Sequence, residues 1–458
     1  MKSNRPSKLT RRRFIAASAA SAFAFQYFPG RLFGQDAPSN KLNLAAIGVG
    51  GQGGANLKAC TGENIVALCD VDWDYAAKTF QLYPGAKTYK DYRVMFEQEK
   101  GIDAVIIATP DHTHAVITMA AMAAGKHVYC QKPLTHTVYE ARKIREAARR
   151  FKVQTQMGNQ GHSSEHIRLL KEWLAAGVIG DVREVHAWTD RPVGGDPWSN
   201  FAVQAQPKDC PPVPETLDWD LWLGPVAHRP YHPDYHPMKW RAWLDFGTGA
   251  LGDMGCHIID PAFWALDLGA PETIEATSTH WEPEVSSQTF PRASIVRYKF
   301  PVRGSRPPVA LTWYDGRLMP PRPEELEPGR KLPSSGALII GDKGTLLHGS
   351  HGASSLRLIP EARMKDFTPP PKTIPRVTEG HEGDWLRACK EGPEGRPASS
   401  TFEYGGALTE LALLGMIAIR QKNERLQWDS ANLRFTNNEK ANELLHISYR
   451  PGWSLEGA

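Results

Sequence analysis

The chain has 458 residues, 41% hydrophobic and 23% charged, enough for the cores of two domains and too apolar for a disordered chain. Its formal net charge of +4 is unevenly placed: in residues 1–37, Lys2, Arg5, Lys8, Arg11, Arg12, Arg13 and Arg31 face only Asp36, so that stretch carries +6 and the remainder −2. With no basic face left over, the composition speaks against nucleic-acid binding.

Residues 1–37 read as a targeting signal. Arg11-Arg12-Arg13 precedes the apolar stretch from Phe14 to Phe28, which is short for a membrane span. Paired arginines before such a stretch point to twin-arginine export of a folded protein. Cleavage is expected within 30–38, and the mature protein is expected in the periplasm. No later run is expected to span a membrane. The six cysteines, Cys60, Cys69, Cys130, Cys210, Cys256 and Cys389, form no Cys-x-x-Cys pair, which argues against a zinc knuckle or redox pair.

From Lys41 the pattern alternates strands and helices. Strands are expected at 42–47, 65–69, 103–108, 127–130 and 153–156. Thr137 and Glu140 have capping-box spacing at the start of a helix reaching Arg150. This is the grammar of a doubly wound parallel sheet. Beyond about 160 it changes. A helix is expected at 164–176 and a strand at 182–189, then a loop-rich segment over 190–246. A helix starts near Asp253. Strands at 273–279, 294–300, 309–314, 337–340 and 345–347 follow without intervening helices, and further helices lie at 381–390 and 405–421. The expected fold is α/β. A Rossmann domain over 38–160 precedes an α+β domain over 161–458 with a large, mainly antiparallel, open sheet.

Gly48-Val49-Gly50-Gly51-Gln52-Gly53 is a G-x-G-x-x-G run between a strand and a helix. Gly48 suits the tight turn, Gly50 the approach of a pyrophosphate, and Gly53 close helix–strand packing. The helix start offers Gly51 and Gln52 to the phosphates. Asp70 ends the next strand, where its carboxylate favours ribose hydroxyls over a 2′-phosphate, hence NAD over NADP. Thr109-Pro110, continuing to His114, and Gln131-Lys132-Pro133 follow the next strands at their carboxyl ends, where open α/β sheets bind ligands. Farther on, Gly252-Asp253-Met254-Gly255-Cys256-His257-Ile258-Ile259-Asp260 spaces Asp253 and His257 four apart, on one helical face. His257 suits a general base, and Lys132 suits stabilising negative charge on a reacting oxygen. Asp253 orients His257 or binds a hydroxyl; its alternative role is to cap a helix after Gly252.

These motifs together resemble the glucose–fructose oxidoreductase/inositol dehydrogenase (Gfo/Idh/MocA) family, from Lys41 to the end. The resemblance implies Lys132, His257 and Asp253 as catalytic residues, with Lys132 close to the nicotinamide. It implies cofactor contacts from Gly48, Gly50, Gly51, Gln52, Gly53, Asp70, Thr109, Pro110, His114, Gln131 and Lys132. One departure is that the family usually has Glu before Lys-Pro, whereas this chain has Gln131, an amide that offers Lys132 no negative charge. The exported glucose–fructose enzyme also has a twin-arginine leader, which this chain resembles.

Residues 188–243 hold Trp188, Trp198, Trp219, Trp222, Trp240 and Trp243. Aromatic faces of this kind either wall a carbohydrate site or anchor the loop. Trp240, Arg241 and Asp260 are candidate substrate contacts, with Arg241 suited to an acidic sugar. His232 and His236 do not have a regular metal spacing, and no metal is expected. The leading expectation is hydride transfer between tightly held NAD and a secondary hydroxyl of a sugar, glycoside or polyol. The alternatives are an NAD-dependent glycosidase working by transient oxidation, elimination and re-reduction, and a non-catalytic NAD- or sugar-binding protein. A homodimer or homotetramer is expected, because one face of an open sheet needs covering.

Overall fold

The computed structural model describes residues 40–202, 206–279, 287–421 and 424–455; residues 1–37, expected from the sequence to be an export leader, lie outside them. The first domain runs β1 (Asn43–Ile47), α1 (Gln52–Ala59), β2 (Asn64–Cys69), α2 (Trp73–Leu82), β3 (Lys87–Tyr89), α3 (Tyr92–Gln98), β4 (Ala104–Ile107), α4 (Asp111–Ala123), β5 (His127–Gln131), α5 (Val138–Phe151) and β6 (Thr155–Gly158). The six strands are all parallel, in the order β3-β2-β1-β4-β5-β6. The order reverses between β1 and β4, which opens a ligand crevice at their carboxyl ends. All of β4 is buried, as its unbroken Ala-Val-Ile-Ile run requires when helices cover both faces. Short β3 has two of its three residues exposed; the sequence assigned no range to it. β6 lies two residues later than expected, at Thr155–Gly158.

Two glycines fix the turn into α1. Gly48 has φ +78°, and a Cβ there would lie 2.7 Å from the Ala108 backbone. A Cβ on Gly53 would lie 2.0 Å from the Gly48 carbonyl oxygen, so only glycine lets α1 start this close to β1. The capping box expected for α5 is present: Glu140 N donates to Thr137 Oγ1 at 3.2 Å, and Thr137 N donates to Glu140 Oε2 at 2.8 Å.

The chain continues through α6 (Glu165–Ala175), β7 (Val182–Trp188), α7 (Trp219–Leu223), α8 (Gly249–Ile258) and α9 (Asp260–Ala265). Next come β8 (Thr273–Ser278), β9 (Ser294–Phe300), β10 (Val309–Tyr314), β11 (Gly336–Gly341), β12 (Gly344–Gly349) and β13 (Arg357–Ile359). Last are α10 (Glu361–Lys365), α11 (Gly380–Glu391), α12 (Phe402–Arg420), β14 (Arg425–Asp429), β15 (Arg434–Phe435) and α13 (Glu439–Glu443). Nine strands form one mixed sheet, β13-β12-β11-β7-β10-β9-β8-β14-β15. Only the β7–β10 pair is parallel; the rest of the sheet is antiparallel.

Helix α12 joins the domains. Its 19 residues are long and apolar enough to cross a membrane, against the expectation that no such run follows the leader. Yet 83% of the apolar window is buried inside the protein, the pattern of a core helix. It packs on α5, α8 and β8. Arg142 pairs with Glu410 at 2.5 Å, and Leu134 N donates to Thr409 Oγ1 at 3.1 Å. Gly415 lets α12 approach α8, since a Cβ there would meet Leu251 at 2.5 Å and the Tyr298 hydroxyl at 2.0 Å. Thus α12 holds α8 against the ligand-binding edge of the parallel sheet.

The aromatic loop has a small core of its own, in which Trp219, Trp222, Tyr235, Trp240, Trp243 and Phe246 are buried together. Trp219 and Trp222 stack at 4.5 Å. The loop is tied to the first domain just past β2: Trp73 N donates to the Thr216 carbonyl at 3.2 Å and Asp218 N to the Val71 carbonyl at 2.9 Å.

Candidate active site

A cavity of about 370 Å³ runs from the glycine turn to α8. Gly48, Gly50, Gly51, Gln52 and Asp70 line one end. Thr109, Pro110, His114, Gln131 and Lys132 line the middle, and Asp253 and His257 the other end. Gly53 lies beneath the turn, where it sets the spacing of α1. The parallel sheet and α8 thus bring together residues up to about two hundred positions apart in the chain.

At the glycine end, Asp70 Oδ2 accepts from Val49 N at 2.7 Å and Gly50 N at 3.1 Å, and Oδ1 accepts from Asp72 N at 3.0 Å. Burial raises this carboxyl above its ordinary range, against the pull of those three amides. A carboxylate has about four acceptor positions, so one remains, on Oδ1, for a ribose hydroxyl. The Tyr75 ring lies against Gly50: a Cβ there would meet it at 2.1 Å. Lys90, unforeseen, also lines the cavity, with its ammonium 5.7 Å from the centre of the Trp73 ring.

Gln131 explains its own departure from the family pattern. Its amide nitrogen donates to Asn56 Oδ1 at 3.0 Å, and Asn56 Nδ2 donates to Glu382 Oε1 at 2.7 Å. The acid of this chain of contacts comes from α11, and the amide at 131 is the donor it needs.

At the other end, Lys132 Nζ donates to the Asp253 carbonyl at 2.7 Å and to Asp253 Oδ1 at 2.8 Å. Arg191 NH1 donates to Asp253 Oδ2, and Arg241 Nε lies 3.4 Å from Oδ1. Burial alone would raise the Asp253 carboxyl; Lys132, Arg191 and Arg241 outweigh it and hold it well below the usual carboxylate range. Asp253 stands within α8, whose N-cap position is Thr248, so the capping role is set aside. The helix starts earlier than expected, at Gly249, and the hydroxyl of its N-cap residue Thr248 donates to Asp111 Oδ2 at 2.5 Å. Burial pushes the Asp111 carboxyl up to about 6.

His257 is buried, and its Nδ1 has no hydrogen-bond partner among the described residues. Its ring packs on His351, from the loop after β12, with centroids 4.2 Å apart. Burial, the Lys132 charge and His351 push the His257 imidazole well below its ordinary value. Burial, Lys132 and Arg191 do the same, less strongly, to His351. Both rings are neutral near pH 7.

The substrate candidates divide. Trp240 and Arg241 line the cavity, with the Arg241 guanidinium 4.2 Å from the Trp240 ring centre. Asp260 does not: it starts α9 and accepts from His162 Nδ1 at 2.9 Å and from the Tyr404 hydroxyl. The helix break at Ile259-Asp260 turns it from the Asp253–His257 face into the core. Of the other tryptophans, Trp198 and Trp222 reach the cavity, whereas Trp188, Trp219 and Trp243 are packed away from it. His236 pairs with Asp72 at 2.7 Å, and His232 faces Asp209 and Asp234. Arg191 and His351 were missed. Each is a loop residue with no local motif, and only the fold carries it to α8.

Residues 42–159 match the profile of the oxidoreductase family's NAD-binding Rossmann fold. Residues 165–295 match that of its C-terminal alpha/beta domain. Together these cover more than half of the chain. Levoglucosan dehydrogenase of Pseudarthrobacter phenanthrenivorans is 24% identical over 218 residues, 47% of this chain and 46% of that protein. Inositol 2-dehydrogenase of Serratia proteamaculans is 32% identical over 164 residues, 34% of this chain and 48% of that protein. The chain thus spans about half the length of the curated relatives it matches. Among solved structures, an inositol dehydrogenase homolog from Azotobacter vinelandii, complexed with NADH and myo-inositol, superposes with TM-score 0.55 at 17% identity, covering 85% of this chain and 98% of that one. The WlbA dehydrogenase of Bordetella pertussis does so with TM-score 0.57 at 16% identity, covering 85% and 99%. At such identities these likenesses speak for the fold. The two family profiles, end to end along a Rossmann domain and its α/β companion, place the chain in the Gfo/Idh/MocA family of NAD-binding oxidoreductases.

Proposed function

We propose that the protein is a dehydrogenase that moves a hydride between NAD and a secondary hydroxyl of a sugar, glycoside or polyol. The observation that carries this reading is the meeting, in one cavity, of the glycine turn with Lys132, Asp253 and His257. Inositol and levoglucosan dehydrogenases among the relatives support the polyol part.

When bound, the nicotinamide supplies the hydride acceptor. Gly48 and Gly53 let α1 start close against β1, so that the amides of Gly51 and Gln52 at its start would face the charge of a pyrophosphate. Asp70 favours NAD, having an acceptor to spare for a ribose hydroxyl and a charge that repels a 2′-phosphate. His257, neutral and lining the cavity, takes the hydroxyl proton. Lys132 hydrogen-bonds the same oxygen as negative charge develops on it. Asp253 fixes Lys132 through two contacts and has α8 in common with His257. The aromatic loop, tied over the β2–α2 corner, supports slow release of the cofactor. Such retention suits a protein exported by the twin-arginine route to a compartment with little free NAD.

The test is anaerobic incubation of the purified protein with sugars and polyols while nicotinamide absorbance is followed. Reduction by at least one of them, abolished in His257→Ala, is expected. Release of an aryl leaving group without net reduction would redirect the reading to the redox glycosidase, and binding of both ligands without chemistry to a sensor.

A further inference from the structure

We propose that the substrate bears an anionic oxyacid group, a carboxylate, sulfate or phosphate on the sugar, held between Arg191 and Arg241. The sugar part rests on the dehydrogenase reading; the anion part rests on the charges around Asp253.

Three cations, Lys132, Arg191 and Arg241, surround Asp253, and Asp111 is the second carboxylate nearby. With both acids ionised the group still carries +1. His257 and His351 are neutral and change nothing in that count. The placement of the charges matters more than their sum. Asp253 is sealed in, at 3% exposed, whereas Lys132, Arg191 and Arg241 show 14%, 23% and 20% of their side chains. A ligand entering the cavity therefore meets the cations first.

Asp253 also cannot satisfy them. An arginine has five N–H donors and a lysine three, and Asp253 engages only the lysine ammonium, one terminal nitrogen of Arg191 and, more distantly, Nε of Arg241. Arg241 lies over the Trp240 ring, which fixes the plane of its fork and suits bidentate recognition of an oxyanion. A neutral polyol uses hydroxyl donors and acceptors together and gains little from two guanidinium groups, which only donate.

The experiment is calorimetric titration of the holo-protein with matched pairs: glucose, galactose and mannose against their uronates, 6-phosphates and 6-sulfates. At least one anionic member should bind about tenfold to a hundredfold tighter than its neutral partner, as charge-assisted hydrogen bonds imply. The advantage should shrink with added salt, and Arg241→Gln should abolish the difference between the anionic and neutral members of the pair. Arg191→Gln and the salt dependence of the wild type serve if Arg241→Gln does not fold. The arms tell carboxylate, phosphate and sulfate apart. Neutral members binding as tightly as anionic ones in every pair, no member binding, or an anion preference that survives both substitutions would overturn the proposal. A neutral sugar oxidised as readily as its acid sinks the anion proposal and leaves the dehydrogenase standing. Arginine-dependent binding of an acid sugar with no redox chemistry does the reverse.

Discussion

Asp253→Asn removes one charge and almost no volume from the centre of the cavity. In the wild type this carboxylate is buried against Lys132 at 2.8 Å, Arg191, and Arg241 at 3.4 Å. Leaving a buried charge without its partner costs about 3–5 kcal/mol. Because the three cations remain partly open to cavity water, the lower end, about 3 kcal/mol, is expected. The assay is urea unfolding of wild type and variant across pH. The folded Asp253 pKa is depressed, so its contribution is fully present above the unfolded value of about 3.9 and is lost as pH falls through the lower folded value. The gap between the two proteins should therefore be full near pH 7 and close below about pH 4. Sulfate should stabilise the variant more than the wild type, since an anion can refill the vacated charge. Equal stability near pH 7, or a gap that widens on acidification, would refute the electrostatic role given to Asp253.

The depressed His257 pKa gives a second prediction: the acid limb of kcat/KM should fall below about 6.5, the ordinary histidine value. Arg191→Gln removes a charge that disfavours the imidazolium and should move the limb upward; a limb at or above the ordinary value in the wild type would count against His257 as the base. Gly53→Ala puts a methyl 2.0 Å from the Gly48 carbonyl oxygen, forcing α1 outward at about 1–3 kcal/mol or more, and should weaken NAD binding more than sugar binding, as titration would show. Gln131→Glu restores the family's usual residue, yet it should destabilise the protein by about 1–3 kcal/mol. It removes the donor to Asn56 and leaves Asn56 Nδ2 to serve two carboxylates; a raised Tm in the variant would contradict this.

The nucleotide half was legible because its constraints are local. The turn at Gly48, the packing at Gly53 and the strand-end Asp70 each need a particular residue within a short stretch. The strands of the second sheet also stood out: Ser294–Phe300 and Val309–Tyr314 alternate buried and more open positions. Three-residue β3 was too short and too exposed to leave a pattern, and β14, with its Arg-Leu-Gln-Trp-Asp alternation, was passed over behind the apolar run of α12. The start of α8 was misplaced because Gly249 and Gly252 are poor helix formers. A tertiary contact decides there: a Cβ on Gly249 would meet the Phe290 ring at 2.7 Å. Asp260 was assigned to the site by extending a helical face that the structure breaks at Ile259. Arg191 and His351 owe their place to β7 and β12, which flank β11 in the nine-stranded sheet, an arrangement of distant segments that no short motif encodes.

The most direct test of the proposed chemistry follows the hydride itself. The holo-protein is incubated, without added nucleotide, with an oxidisable sugar or polyol deuterated at its carbinol carbons. The bound nucleotide is then released by denaturation and weighed by mass spectrometry. The account predicts a reduced nicotinamide carrying one deuterium, formed in the wild type and absent in His257→Ala. Bound NAD that never acquires deuterium from any substrate that binds would contradict it.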